Sequence, residues 1–152
     1  PEPDRTLRLV HRFTGESLSE TYFAEGRYQP DTLARIDWFL RDWHADTAER
    51  IEPALVDALH ALSRRFGRRR QIEILSGFRT PETNAKLKEE GYRPATNSLH
   101  LVGRAVDLHV PGVSLPIVRR AALSLRAGGV GYYPRRRFVH LDTGDLRRWT
   151  GA

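Results

Sequence analysis

Two short segments of this chain alternate strictly between apolar and polar positions, and this alternation constrains the fold more than any other feature. Residues 105–110 and 138–142 each place an apolar side chain at every second position. Period-two alternation predicts β-strands that bury one face. The residues on the opposite faces are Asp107 and His109 in the first strand, and Phe138, His140 and Asp142 in the second. Two such strands side by side would gather carboxylates and imidazoles in one cleft.

The rest of the chain predicts an α+β fold, with helices first and then an antiparallel sheet interrupted by helices. We expect one domain over residues 1–152, with an N-terminal hairpin and helices at about 6–66 and a core at about 71–145. Proline and turn signals predict its elements. They are a hairpin at 6–13 and 18–23, helices at 30–43, 53–66, 80–91 and 114–125, and strands at 71–75 and 130–133. Trp38 and Trp43, at helical spacing, are expected in the core.

Composition excludes several classes of protein. The chain has no cysteine, which excludes disulfides, thiolate catalysis and cysteine-ligated zinc. No segment approaches the ~20 consecutive apolar residues of a membrane span. The 25 basic and 19 acidic residues give a net charge of +6, which suits an anionic partner such as nucleic acid, a membrane surface or a cell-wall polymer. No nucleic-acid-binding motif is present, so specific binding to nucleic acid is not expected.

His100, Asp107 and His140 form a candidate metal site. His100 precedes Asp107 by seven residues, with Gly103 between them to turn the chain. Two imidazoles and one carboxylate favour zinc over magnesium or calcium. Three protein ligands leave a fourth tetrahedral position for water, as in catalytic zinc sites. By spacing alone, ordinary hydrogen-bonded surface or core residues are the favoured explanation of this pattern.

Several sequence blocks resemble the LAS-type zinc peptidases, a group that includes lysostaphin, the D-Ala-D-Ala peptidases and the sonic hedgehog fold. Residues 98–107 match its S-x-H-x-x-G-x-A-x-D signature. Within this group the chain resembles the MepK (YcbK) type of murein endopeptidases. That similarity rests on the blocks at residues 12–16, 76–79, 126–134, 138–144 and 147–149. The resemblance implies a LAS-type, hedgehog-like domain whose antiparallel sheet carries zinc and has helices packed on one side.

The resemblance also implies roles for individual residues. Zinc falls on His100, Asp107 and His140, and Arg79 falls where LAS peptidases hold an arginine that grips the substrate carbonyl. Ser98 is expected to orient the loop that carries His100 rather than to act as a nucleophile. Where many LAS peptidases have a general base, this chain has Arg137 and Phe138, and neither side chain accepts a proton from water.

Two other residues are therefore candidates for the general base. Asp142 lies two positions beyond His140 on the same strand face, which is ~6.6 Å along the strand. His109 lies two positions beyond Asp107. We favour Asp142 as the base, with an alternative in which its carboxylate orients a ligand histidine.

By resemblance, the chain is a zinc-dependent murein endopeptidase that acts on peptidoglycan stem peptides. The expected bond joins two meso-diaminopimelate residues in the 3-3 cross-link. Alternatives are a D,D-endopeptidase or carboxypeptidase that cuts the D-Ala–meso-diaminopimelate 4-3 link, and a non-catalytic zinc module that binds the wall. The chain begins at Pro1, and we expect a periplasmic protein exported by a segment upstream of that residue. The sequence leaves the oligomeric state open.

Overall fold

A computed structural model of the chain describes residues 2–67, 69–91 and 98–152. The described strands form one eight-stranded sheet in the order β3-β2-β1-β4-β5-β7-β6-β8. They are β1 (Arg5–His11), β2 (Ser17–Ala24), β3 (Arg27–Tyr28), β4 (Ile72–Ser76), β5 (Ala105–His109), β6 (Gly129–Tyr133), β7 (Phe138–Asp142) and β8 (Arg147–Thr150). The sheet therefore includes strands from the N-terminal part and from the predicted core.

The predicted α+β class is confirmed, although the sheet is mixed. Most neighbouring strands are antiparallel, but β1 pairs with β4 and β6 pairs with β8 in parallel. The chain reaches β4 from β1 by way of a hairpin and two helices, and a long connection of this kind returns a chain in the same direction. The chain passes from β6 to β8 through the antiparallel strand β7, so β8 runs in the same direction as β6.

Three of the four described α-helices contribute side chains to the apolar core of the sheet, whereas the third in chain order lines a cleft on the polar face. They are α1 (Pro30–Phe39), α2 (Pro53–Arg64), α3 (Pro81–Glu89) and α4 (Leu115–Leu125), and a single 3₁₀ turn spans Leu99–Val102. Each α-helix has proline in its first two positions, where the missing N–H is not needed. Helix α2 contacts β1 and α4, while α4 contacts β6 and β7. Fully buried side chains of the strands join this core, among them Leu9, Ile74, Val106, Leu108, Val139 and Leu141.

The first helix is shorter than predicted. It ends at Phe39 rather than at residue 43, because the buried carboxylate of Asp42 accepts hydrogen bonds from the backbone N–H groups of His44 and Ala45. Such local side-chain bonds compete with a helix. Trp43 therefore lies beyond the helix and is partly exposed, while Trp38 lies on the outer face of α1 and is 50% exposed. The expectation that both lie in the core is wrong.

Two strands and the 3₁₀ turn have no counterpart in the predicted elements. Strand β3 has only two residues, and β8 reads Arg-Arg-Trp-Thr without alternation, so neither carries a signal. Strand β8 forms because its backbone pairs with β6. The sequence pattern predicts a loop between the helix at 80–91 and residue 101, and residues 92–97 of that loop lie outside the described residues. Within the described ranges, no helix has the length and apolar character needed to cross a membrane.

Candidate metal centre

The polar faces of β5 and β7 meet in one row. Asp107 is the direct register partner of His140, and the next residues in that row are Ser76 on β4 and Gly131 on β6. Because the apolar residues of the same strands point into the core, the alternation itself aims both functional side chains at the opposite face. The sequence-predicted pairing of these two strands is therefore present in the structure.

His100 reaches this row from the 3₁₀ turn. Ser98 caps the turn by accepting a hydrogen bond from the backbone N–H of His100 at 3.2 Å, the orienting role expected for it. Gly103 ends the turn with φ of 70°, and a Cβ there would lie 2.3 Å from the carbonyl oxygen of Arg50. Only glycine fits this close approach, which returns the chain into β5.

The three side chains converge on one point. One ligand atom from each of His100, Asp107 and His140 lies within 4.8 Å of the others. Asp107 Oδ1 is 3.1 Å from His140 Nδ1 and 3.3 Å from His100 Nε2. All three side chains are almost fully buried. Three donor atoms this close, two of them nitrogen, suit an ion such as zinc.

Each imidazole is oriented by a hydrogen bond from its other nitrogen. His100 Nδ1 donates to the carbonyl oxygen of Gly77 at 2.8 Å, and His140 Nε2 donates to Asp142 Oδ2 at 2.7 Å. These bonds leave His100 Nε2 and His140 Nδ1, the nitrogens nearest Asp107, as the atoms that would offer lone pairs to a metal ion. Histidines that ligate metals are held in this way, so the residues present fit a metal ion.

The electrostatics of the cluster attract positive charge. Burial raises the pKa of Asp107, but the adjacent His100 and His140 outweigh it and hold the pKa well below the usual range. Burial lowers the pKa of His140, yet its hydrogen bonds to Asp107 and Asp142 raise that pKa to about 9. Burial lowers the pKa of His100, which favours the neutral imidazole that binds metal.

Asp142, predicted as the general base, is enclosed by donors. Its Oδ1 accepts from the backbone N–H groups of Gly129 and Gly144 at 2.8 and 2.9 Å. Its Oδ2 accepts from His140 and from Arg147 at 2.9 Å. Burial raises its pKa, but these donors together lower it well below the usual range. The contacts match the alternative role, in which Asp142 orients His140.

His109, the other candidate base, lies outside the three-residue cluster. It is on the same face of β5, where its register partner is Glu73. Its Nδ1 is buried and has no hydrogen-bond partner among the described residues. Burial lowers the pKa of His109, so the imidazole is neutral near pH 7.

Arg79 lies beside the metal cluster, at the base of a cleft. Its guanidinium donates to Asn84 Oδ1 at 3.0 Å and to Ser76 Oγ at 3.3 Å, and it is 3.9 Å from Asp107 Oδ2. Burial lowers the pKa of Arg79 from its usual value of 12.5, although the group stays charged. A fixed, desolvated cation in this position is suited to stabilising a developing negative charge.

The cleft itself has a volume of about 400 Å³, and its lining includes Asp107 and Arg79. Aromatic side chains from two N-terminal segments line it as well; they are Phe13, Trp43 and His44. The sequence did not single these out as site residues, because Phe13 falls in the predicted hairpin and Trp43 in a predicted helix with its ring in the core.

Trp149 is a further residue of the site that the prediction missed. Its ring centroid is 5.2 Å from that of His140, and its Nε1 donates to the hydroxyl of Tyr133 at 2.9 Å. A Cβ at Gly131 would lie 2.6 Å from the indole. One signal was available in the sequence. The alternation of β6 places residue 131 on the face of the site, and this residue is glycine, whose missing side chain leaves room for the indole.

Comparison with known proteins gives a family match over nearly the whole chain. Residues 2–149 match the family model described as "Peptidoglycan L,D-endopeptidase MepK". The chain is 42% identical over 149 residues to the Escherichia coli K12 protein of that name, covering 98% of this chain and 81% of the relative. It is 36% identical over 153 residues to the Haemophilus influenzae "Probable peptidoglycan L,D-endopeptidase MepK", covering 100% of this chain and 82% of the relative.

Proposed function

This chain belongs to the MepK family of peptidoglycan L,D-endopeptidases, and from that premise we propose that it uses zinc to hydrolyse the 3-3 cross-link of peptidoglycan. The resemblance predicted from the sequence blocks is thereby confirmed. The chain is a metallopeptidase that acts as a murein endopeptidase. The identity of the metal and of the cross-link is the proposal.

One observation supports the proposal most directly, namely the convergence of His100, Asp107 and His140 within 4.8 Å. We propose that these three residues hold zinc through His100 Nε2, Asp107 Oδ1 and His140 Nδ1. When bound, a zinc ion with three protein ligands supplies Lewis acidity for activating water and polarising an amide carbonyl. Two imidazole ligands argue against magnesium and calcium, which prefer oxygen.

The surrounding residues supply orientation and charge. Arg79 is proposed to bind the carbonyl oxygen of the scissile amide and to stabilise the negative charge that develops there. Asp142, fixed by Arg147 and two backbone N–H groups, is proposed to hold the His140 ring in place. Both oxygens of Asp142 are occupied by donors, and His109 lies outside the three-residue cluster, so substitutions of both residues are needed to identify the proton acceptor.

The stereochemistry of the bond favours the 3-3 link over the 4-3 link. An L,D-endopeptidase cuts an amide whose carbonyl comes from an L-centre and whose nitrogen comes from a D-centre. The amide between two meso-diaminopimelate residues has this configuration. The 4-3 link has its carbonyl on D-Ala and is a D,D bond. The "L,D" in the relatives' names therefore supports the 3-3 assignment.

The proposed substrate also indicates the partner and the cellular location of this chain. We propose that the chain binds the stem peptides of peptidoglycan in the periplasm, the compartment that holds the cell wall in Gram-negative bacteria such as the organisms of its relatives. The net charge of +6 suits the anionic carboxylates of the wall.

The decisive experiment digests purified muropeptide dimers, one 3-3 linked and one 4-3 linked, and separates the products by chromatography with mass detection. Each digest is run with zinc, with a chelator, and with the His140→Ala variant. We expect zinc-dependent loss of the 3-3 dimer alone. Loss of the 4-3 dimer instead would overturn the assigned bond, and loss of neither dimer by the zinc-bound protein would favour a non-catalytic wall-binding role.

A further inference from the structure

Three aromatic rings form a stack that lines the same cleft as Asp107 and Arg79. Phe13 is 56% exposed, and its ring stacks on Trp43 with centroids 5.4 Å apart and planes at 29°. Trp43 stacks in turn on His44 at 3.8 Å. We refer to Phe13, Trp43 and His44 as the aromatic wall. Exposed apolar surface of this kind is unfavourable in water and commonly marks a binding site.

A buried histidine fixes the first ring of the aromatic wall. His11 is 2% exposed, and its Nδ1 accepts the backbone N–H groups of Phe13 and Thr14 at 3.2 and 3.3 Å. Its ring also makes edge contacts with Phe13, Phe39 and Trp43. The exposed Phe13 is thus carried on a turn that a buried side chain holds rigidly, rather than on a free loop.

A buried aspartate fixes the other two rings. Asp42 Oδ1 accepts from the backbone N–H of His44 at 3.0 Å and of Ala45 at 3.3 Å. Its Oδ2 accepts from the N–H and the hydroxyl of Thr80 at 2.9 and 3.0 Å. Thr80 is the residue after Arg79 and caps helix α3. Asp42 therefore ties the aromatic wall to the segment that carries the proposed oxyanion group.

The aromatic wall and the metal cluster share one continuous cleft. Phe13, Trp43 and His44 line the same cavity as Asp107 and Arg79. Polar side chains beside the rings, those of Arg12, Arg41 and Thr83, line it as well. Because these residues line one cavity, a substrate whose amide reaches Arg79 can also contact the aromatic wall.

We propose that the aromatic wall is a subsite for a pyranose ring of the peptidoglycan glycan strand; this inference rests on the proposed function. Stem peptides consist of alanine, acidic and diaminopimelate residues, none of which offers a flat apolar face. A pyranose does, with C–H groups on its face and hydroxyl and acetamido groups at its edges. Flat aromatic rings flanked by polar donors match that chemistry.

The subsite is tested first by binding, without any turnover. Peptide-free glycan strands, prepared by amidase digestion, are titrated into the protein in the presence of a chelator. Phe13→Leu keeps an apolar side chain but removes the ring face, and it should weaken binding roughly three- to tenfold. Phe13→Tyr should bind as the wild type does. Trp38→Leu is the matched control, because Trp38 is 50% exposed but lies outside the described lining of the cleft.

A second arm measures specificity. The kcat/KM of each protein is determined on 3-3 dimers with their disaccharides and on the same dimers stripped of sugar. Phe13→Leu should lower the ratio of the two values roughly three- to tenfold, and Trp38→Leu should leave it unchanged. Equal losses on both substrates would place peptide, not sugar, on the aromatic wall and overturn the proposal, as would glycan binding unaffected by Phe13→Leu.

Failure of the proposed function gives a different result. In that case the wild-type protein cleaves neither dimer, and the binding measurement under chelation alone decides on the subsite. Thermal unfolding of each variant verifies that the fold is intact. Trp43→Phe, which keeps an aromatic face at the partly buried position, is expected to retain most of the glycan binding.

Discussion

The two sides of the cleft differ in how their side chains are positioned. On the sheet side, Asp107 and His140 project from paired strands, so their directions follow from backbone register. In the aromatic wall, the rings of Phe13 and Trp43 lie on irregular segments, and two buried polar side chains, His11 and Asp42, fix these segments. The sheet side is buried and polar, whereas the aromatic wall is exposed.

This difference separates chemistry from recognition. Groups that hold a metal must be desolvated and rigid, and paired strands provide both. Groups that meet a polymer must be reachable from solvent, so loops supply them. We expect substitutions on the sheet side to change turnover or metal affinity, and substitutions that affect the aromatic wall to change substrate preference or local stability.

The largest effect is expected from removing a ligand on the sheet side. His140→Ala leaves one imidazole and one carboxylate, so zinc affinity and turnover should both be lost. Several kcal/mol of transition-state stabilisation correspond to a fall in kcat/KM of about 1,000-fold or more. Zinc content by elemental mass spectrometry and digestion of the 3-3 dimer measure the two effects. His60→Ala, on helix α2, is the control, and unaltered zinc content in His140→Ala would contradict the ligand assignment.

Arg79→Lys should give the next largest effect. Lysine keeps the charge but loses the guanidinium fork that Asn84 and Ser76 position. We expect kcat to fall roughly 100-fold, the lower range for loss of an oxyanion donor, while zinc remains bound. Arg35→Lys, at an exposed ion pair with Glu20, controls for the substitution itself. A normal kcat in Arg79→Lys would show that the group contributes charge alone or nothing.

Asp142→Asn distinguishes an orienting carboxylate from a general base. The amide keeps an acceptor for the N–H groups of Gly129 and Gly144 but weakens the bond from His140. Zinc affinity should fall roughly 10- to 100-fold, and excess zinc should restore turnover. Turnover that stays absent at saturating zinc would instead identify Asp142 as the base.

His109→Gln is the companion to this variant. If His109 accepts the proton, kcat falls by roughly 100-fold, at the lower end for acid–base catalysis, and zinc affinity is unchanged. The two variants thus compare residues that each lie two positions after a proposed metal ligand, on two adjacent strands. A kcat for His109→Gln equal to that of the wild type would remove His109 from the mechanism.

The sequence was sufficient to predict the sheet side and not the aromatic wall. Alternation in β5 and β7 fixes which side chains share a face, and the signature around His100 adds the third residue of the cluster. Arg147 and Trp149 were missed because β8 has no alternation, and its position depends on backbone pairing with β6. Phe13 and Trp43 depend on Asp42 and His11, whose hydrogen bonds to backbone groups leave no pattern in a sequence.

The role of Asp142 shows the same limit at one residue. Strand spacing correctly places its carboxylate on the face of His140, and therefore allows either a base or an orienting group. The choice depends on the donors around it, which come from Gly129, Gly144 and Arg147. These are brought together by the junction of three strands and are not implied by the spacing of Asp142 from His140.

The smallest expected effect concerns the residue that holds the aromatic wall. Burial lowers the pKa of His11 from its ordinary value of 6.5, with Glu16 and Glu73 raising it and Arg41 lowering it. The folded protein therefore keeps His11 neutral at a pH where the unfolded chain protonates it. A proton on Nδ1 would also displace the N–H groups of Phe13 and Thr14. The free energy of unfolding should thus fall as the pH is lowered below about 6.5.

His11→Asn isolates this contribution, because the asparagine side chain offers an acceptor near the position of Nδ1 and does not titrate. Urea unfolding at pH 7.5 and at pH 5.5 should show a smaller loss of stability in the variant than in the wild type. His60 and His109, whose pKa values burial also lowers, are present in both proteins and cancel in the comparison. Equal losses in the two proteins would mean that the pKa of His11 is the same in the folded and the unfolded states, and would contradict its role as a neutral, buried acceptor for Phe13.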